Sequence, residues 1–106
     1  RNFCIEHSCT MVLKGARTSI CTPDGKIFFN STGNPGMSTA GSGDVLSGLI
    51  TGLLSQGYTC IESACLGVYI HGLAGDLALT KESHESLIAS DIIDYFGKAF
   101  KIISKT

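Results

Sequence analysis

The sequence predicts an α/β fold: a strand, a β-hairpin, a glycine-rich loop and then three helices. Three observations carry this. Thr10-Met11-Val12-Leu13 is a compact apolar run stopped by Lys14-Gly15, the profile of a buried strand. Arg17 to Cys21 and Lys26 to Asn30 are two further strand candidates separated by Pro23-Asp24-Gly25. Proline presets φ there and glycine accepts a positive φ, so the pair reads as a hairpin. From Asp44 to Gln56, Val45, Leu46, Leu49, Ile50, Leu53 and Leu54 recur at the spacing of one helix face.

The remaining elements follow in order. Residues 1–10 read as the end of a helix. Residues 31–43, STGNPGMSTAGSG, hold four glycines and almost no large side chain, so backbone rather than side chains faces a partner there. Gly57 stands just past the first long helix, at the position that favours a left-handed residue. Residues 61–80 form a second helix, whose small residues Ala64, Gly67, Gly72, Ala74, Gly75 and Ala78 predict close packing against a neighbour. Ser90 or Asp91 can cap a third helix with Ile92, Ile93, Phe96, Phe100 and Ile103 as its apolar stripe. A β-then-α order in 106 residues has too few strands to form a parallel sheet covered on both faces, so the chain is expected to be the C-terminal part of a larger α/β domain.

Composition bounds the function. A hydrophobic fraction of 43% against 16% charged residues predicts a packed core rather than disorder. A net charge of −1 lacks the basic footprint of a general nucleic-acid binder. No apolar run reaches the roughly 18 residues of a membrane span, and Arg1-Asn2-Phe3-Cys4 lacks a signal-peptide layout. Five cysteines, none in C-x-x-C spacing or at zinc-finger spacing from a histidine, read as thiols in a reducing cytoplasm, with no protein-held metal cluster.

The chemistry concentrates at Ala40-Gly41-Ser42-Gly43-Asp44, which opens a helix. The first turn of any helix presents unpaired N–H groups and the positive end of its dipole, and glycine lets an anion approach them. A carboxylate beside such an anion hole repels a phosphate unless it has a task. The tasks available to Asp44 are accepting a proton from a substrate hydroxyl or holding a metal; the plain alternative is a carboxylate that stabilises the helix dipole. No Walker G-x-x-x-x-G-K-[ST] pattern is present. His71 and Asp76, five apart on a helix, do not share a face; His71 reads as a packed or capped histidine. Met37, among loop residues, reads as a wall of the site.

GNPGMSTAGSGDVLSGLITGLLSQG, residues 33–57, closely resembles the signature of the NAD(P)H-hydrate dehydratases, a branch of the ribokinase-like superfamily. The family pattern is roughly G-N-x-G-M-A-T-x-G-[ST]-G-D-V-L-[ST]-G. Val12 to Thr18 is similar to the family's strand and K-G-x-x-T nucleotide segment, and Ala64 to Asp76 fits as well; the likeness runs over about residues 10–100. Ser38 stands where the family usually has Ala, and Ala40 where it often has Gly. Both are small, so backbone approach survives.

The resemblance implies a ribokinase-like three-layer α/β/α domain, of which this chain is the C-terminal portion. It implies a repair reaction: the hydroxyl of a hydrated nicotinamide cofactor, NAD(P)HX, is phosphorylated from ADP or ATP, and phosphate then leaves to restore NADH or NADPH. Lys14, Gly15, Ala16, Arg17 and Thr18, with Asn34, Pro35, Gly36, Met37, Ser38, Thr39, Ala40, Gly41, Ser42 and Gly43, would line the nucleotide. Asp44 would take the hydroxyl proton and contact the hydrate, and Mg²⁺ would bridge phosphates. Part of the substrate pocket would lie in polypeptide preceding Arg1, so these 106 residues alone are expected to lack activity and to associate with that missing part or with another copy. A small-molecule kinase of the same superfamily would share the G-x-G-D anion hole but not the G-N-x-G-M lead-in. A non-catalytic nucleotide-binding module is the third reading.

Overall fold

The computed structural model describes residues 2–14, 18–34, 37, 41–79 and 87–104. The order is α1 (Asn2–His7), β1 (Met11–Leu13), β2 (Ser19–Cys21), β3 (Ile27–Phe29), α2 (Ser42–Ser55), α3 (Cys60–Ala78), α4 (Ala89–Asp94) and α5 (Phe96–Ser104). The three strands form one antiparallel sheet in sequence order, with Val12 opposite Ile20 and Ile20 opposite Phe28.

The hairpin forms where the turn chemistry places it. Gly25 adopts φ 85°, and its N–H donates to the Thr22 carbonyl at 3.0 Å. The Thr22 N–H then donates to the Lys26 carbonyl, also at 3.0 Å, closing the loop. Side chains alternate across a strand. Ile20 is buried against Leu46, Ala64 and Val68, with Val12, Ile50 and Cys65 packed around them. The next residue, Cys21, is buried too, and its carbonyl accepts from the Cys4 thiol at 3.6 Å. β1 departs from the buried strand expected: Met11 and Val12 are half-buried and Leu13 is exposed. Among the described residues it pairs only with β2, so the side chain facing the helices is the one that gains cover. Ile27, Phe28 and Phe29 of β3 are likewise exposed among the described residues.

α2 begins two residues earlier than the apolar spacing indicates, because Ser42 and Gly43 carry no apolar signal. Leu46 and Leu53 are buried and Val45, Leu49 and Ile50 partly so, while Leu54 lies exposed at the edge of the stripe. Gln56 caps the helix and Gly57 follows at φ 98°, the left-handed residue expected there. α3 starts with a reciprocal capping box: Glu62 N–H donates to Thr59 Oγ1 at 3.1 Å, and Thr59 N–H to Glu62 Oε1 at 2.9 Å.

The third helix expected from sequence is two helices. Tyr95 leaves the helical conformation at φ −101°, ψ 3°, ending α4, and α5 starts at the next residue. The packed face carries on across the break at Ile92, Phe96, Ala99 and Ile103. Ile92 is fully buried and Phe96 and Ile103 pack on the Ile70–Ala74 cluster of α3, but Ile93 and Phe100 are exposed. Ile88, not Ser90 or Asp91, holds the N-cap position. Asp91 contributes from three residues on, accepting the Ile88 N–H at 2.9 Å. Among the described residues, no helix is long and apolar enough to cross a membrane.

Glycine permits the contact between α2 and α3. A methyl at Gly67 would lie 2.6 Å from Ile50 Cγ1, whereas one at Gly52 meets nothing within 4 Å. Gly67→Ala is therefore expected to destabilise by about 1–3 kcal/mol through overpacking. Gly52→Ala is expected to stabilise by up to about 1 kcal/mol through helix propensity. Thermal denaturation of the two variants beside the parent checks the opposite signs.

Candidate functional site

The glycine loop leads into α2, and α3 is the surface on which it rests. Three α3 residues, Gly72, Gly75 and Asp76, lie at the i, i+3, i+4 spacing that puts them on one face. Thr32 sits on Gly72: a methyl there would overlap Thr32 Oγ1 and come within 2.8 Å of its backbone carbon. Thr32 Oγ1 donates to the Tyr69 carbonyl at 3.0 Å, and Asn30 Nδ2 donates to the Thr32 carbonyl at 3.0 Å. Gly33 follows at φ 107°. Its N–H donates to Asp76 Oδ2 and Asn34 Nδ2 donates to Asp76 Oδ1, both at 2.9 Å. Met37 N–H donates back to the Asn34 carbonyl at 3.1 Å, and the Met37 side chain lies over Gly75. Read from sequence as a wall of the site, that side chain instead packs down with Ile70 and Ala74 and fastens the loop to α3.

At the far end, Gly41 takes the N-cap of α2 at φ 84° and supplies no side-chain cap. The N–H groups of Ser42, Gly43 and Asp44 precede the first intrahelical bond, which Val45 N–H makes to the Gly41 carbonyl at 3.0 Å. Lys14 comes off the end of β1 and brings its ammonium to the same turn: Nζ lies 3.2 Å from where a Gly43 methyl would stand. Asp44 is exposed in that first turn. A helix N-terminus without a side-chain cap, a small-residue first turn and an adjacent ammonium have the chemistry to attract an anion, with an exposed carboxylate at the rim.

His71 completes the inner wall. Its Nε2 lies 3.1 Å from the Ser42 carbonyl and 3.3 Å from Ser42 Oγ. A carbonyl only accepts, so Nε2 carries the proton and donates to it. Burial pushes the His71 pKa below the ordinary histidine value; the bond to Ser42 opposes this and the nearby Lys14 charge adds to it. The packed or capped histidine expected from sequence is what the structure holds. His71 and Asp76 stand about 140° apart on α3 at roughly 100° per residue, yet they serve opposite ends of one loop.

A family of known enzymes matches this chain over residues 1–98, and it is described as NAD(P)H-hydrate dehydratase. This chain belongs to the NAD(P)H-hydrate dehydratase family. It is 50% identical over 90 residues to a bifunctional NAD(P)H-hydrate repair enzyme of Moorella thermoacetica, covering 85% of this chain and 17% of that one. It superposes with a TM-score of 0.88 and 31% identity on an ADP/ATP-dependent NAD(P)H-hydrate dehydratase of Bacillus subtilis co-crystallised with ATP and Mg²⁺. That match covers 95% of this chain and 36% of the other. A ribokinase-like superfamily protein of Enterococcus faecalis matches at TM-score 0.78 and 37% identity, over 94% and 34% of the two chains. The chain thus spans about a sixth of the curated relative and about a third of the solved structures. The α/β fold is of the ribokinase-like kind, as the dehydratase signature implied.

Of the dehydratase site residues expected from sequence, Lys14, Gly41, Ser42, Gly43 and Asp44 converge on the start of α2, and Asn34 and Met37 lie on α3 beside it. Thr18 stands just before β2, where its carbonyl accepts the Asn30 N–H at 2.9 Å as part of the sheet. Gly15, Ala16, Arg17, Pro35, Gly36, Ser38, Thr39 and Ala40 lie outside the described residues. The sequence reading missed the tie from Asp76 to Gly33 and Asn34 and the bond from His71 to Ser42. Both partners in each case are visible as residue types, but the pairings span 29 to 43 positions and no local spacing marks them.

The lowered His71 pKa makes stability depend on pH. Below about 6.5 an unfolded histidine binds a proton while folded His71 stays neutral. Unfolding then takes up a proton, so stability falls as pH drops from about 6.5 toward the folded value and is flat above it. His71→Gln, which can still donate to Ser42, is expected to remove this component of the slope. Denaturant melts of parent and variant between pH 5 and 8 check it.

Proposed function

We propose that the whole protein returns hydrated NADH or NADPH to the working cofactor, driven by phosphoryl transfer from ADP or ATP. The observation that carries this reading is the exposed Asp44 carboxylate at the mouth of an uncapped helix, with Lys14 over the same turn. The family, and the nucleotide dependence named for its Bacillus subtilis member, supply the substrate class.

Each residue then has a role its chemistry can fill. Asp44 accepts the proton of the hydrate's hydroxyl as that oxygen attacks the terminal phosphorus of the nucleotide. The bond from that phosphorus to the nucleotide's bridging oxygen breaks. The N–H groups of Ser42 and Gly43 face the charge that builds on the transferring group, where fixed donors count most. Lys14 adds a full positive charge to the same oxygens. The C–O bond then breaks with phosphate carrying off its electron pair, a proton is lost from the adjacent ring carbon, and the electrons of that C–H bond restore the ring double bond.

Mg²⁺ fits this arrangement as an ion riding on the nucleotide's phosphates. Among the described residues no group of three His, Cys, Asp or Glu could hold a metal. Such an ion keeps waters and phosphate oxygens as its ligands, which leaves the exposed Asp44 carboxylate for the proton. When bound, the ion would neutralise charge between adjacent phosphates. Five free thiols support a reducing, cytoplasmic setting, and the exposed Ile27, Phe28 and Phe29 support association of the β3 edge with further polypeptide.

Asp44→Asn in the whole protein is expected to lower turnover by about 10²-fold or more, the scale of losing a general base, while leaving nucleotide affinity near that of the parent. Recovery of NADH absorbance from hydrated NADH with ADP or ATP and Mg²⁺ checks the first part, and calorimetry with the nucleotide the second. Near-normal turnover would remove Asp44 from the chemistry.

A further inference from the structure

The proposed reaction uses Asp44 and gives no task to Asp76, yet Asp76 is the carboxylate that ties the loop to α3. Both Asp76 oxygens are engaged, Oδ2 by the Gly33 N–H and Oδ1 by Asn34 Nδ2, each at 2.9 Å. The donors come from a segment 42 and 43 residues away, so this is a tie between elements and not a local turn. Gly33 stands at φ 107°, and a glycine in the left-handed region has the widest choice of alternatives. The Asn34 carbonyl in turn accepts the Met37 N–H at 3.1 Å, so the tie at Gly33 and Asn34 extends to Met37, whose side chain lies over Gly75.

We propose that Asp76 is a positioning residue for the nucleotide: it holds Gly33, Asn34 and, through Asn34, Met37 in the arrangement that receives the nucleotide before the nucleotide arrives. This rests on the reading that the loop and the start of α2 bind ADP or ATP. Two charge-assisted hydrogen bonds from one carboxylate, aimed at a backbone N–H and a side-chain amide, fix both the path and the side-chain direction of the loop. A loop that fluctuates among other shapes weakens apparent binding by the fraction of time it is competent, without altering the step that follows.

The test uses the whole protein. Asp76→Leu keeps the approximate size and removes both acceptors; Asp76→Asn keeps the shape and one acceptor oxygen. The expected result is a rise of about tenfold in KM for ADP with Asp76→Leu, which corresponds to a competent loop about one tenth of the time. Asp76→Asn should fall between it and the parent, and kcat should stay within about twofold in both. A role in overall stability alone would lower the amount of active protein, so kcat would drop at constant KM in both variants; that result overturns the proposal. Hydrogen exchange without any nucleotide is the second arm. The amides of Gly33, Asn34 and Met37 should exchange faster in Asp76→Leu than in the parent, and unchanged exchange at Gly33 also overturns it. Should Asp76→Leu fail to fold, the KM and exchange shifts of Asp76→Asn decide alone. If the parent binds neither ADP nor ATP, the proposed function falls, while the exchange arm still decides whether Asp76 orders the loop.

Discussion

Thr32 rests on Gly72 with no room for a methyl group between them, and the candidate site depends on that contact. It brings loop backbone onto α3 and fixes where the chain enters the segment that leads to α2. Gly75 extends the same face, admitting the Met37 side chain into the helix core. Polar ties act at either end: Asp76 holds Gly33 and Asn34, and His71 holds the carbonyl of Ser42. The start of α2 is therefore set by a helix that contributes no proposed reacting group. Side chains larger than glycine at positions 72 and 75 would push the loop away before any substrate was involved.

The same arrangement accounts for the electrostatics. A helix N-terminus carries a partial positive charge, and Lys14 adds a full one over Gly43. A protonated His71 would bring a third, next to Ser42 and away from water. Burial keeps that imidazole neutral, so it serves as a hydrogen-bond donor without adding charge. Both Asp76 oxygens accept from the loop, one from the Gly33 N–H and one from Asn34 Nδ2. Asp44 is exposed at the rim, where the proposed reaction uses it.

Much of this was legible in the sequence, and the illegible part has a physical reason. The hairpin was readable because Pro23-Asp24-Gly25 has few other uses, and α2 because its apolar spacing is regular. The dehydratase signature in residues 33–57 was readable, and the family it implied is the one the chain belongs to. The break at Tyr95 was not readable: no proline or capping residue marks it, and the apolar positions on either side fit one helix as well as two. The exposure of Leu13 was not readable either, because an apolar run does not say which of its sides gains cover among the described residues. Asp76 and His71 looked unrelated because their spacing was judged on α3 alone, whereas their partners lie on another segment that wraps past both.

The central claim is that the small-residue first turn of α2, with Lys14 above it, receives the phosphates of an adenine nucleotide. Gly43→Val tests it most directly. Valine is no worse than glycine inside a helix, so the fold should survive, but its branched side chain would crowd the open turn and displace the Lys14 ammonium that lies 3.2 Å from the added carbon. Calorimetric titration of the whole protein with ADP or ATP and Mg²⁺ should show affinity lowered by about tenfold or more, equivalent to about 1.4 kcal/mol, at a melting temperature near that of the parent. Unchanged affinity in a folded Gly43→Val variant would place the phosphates elsewhere and contradict the account.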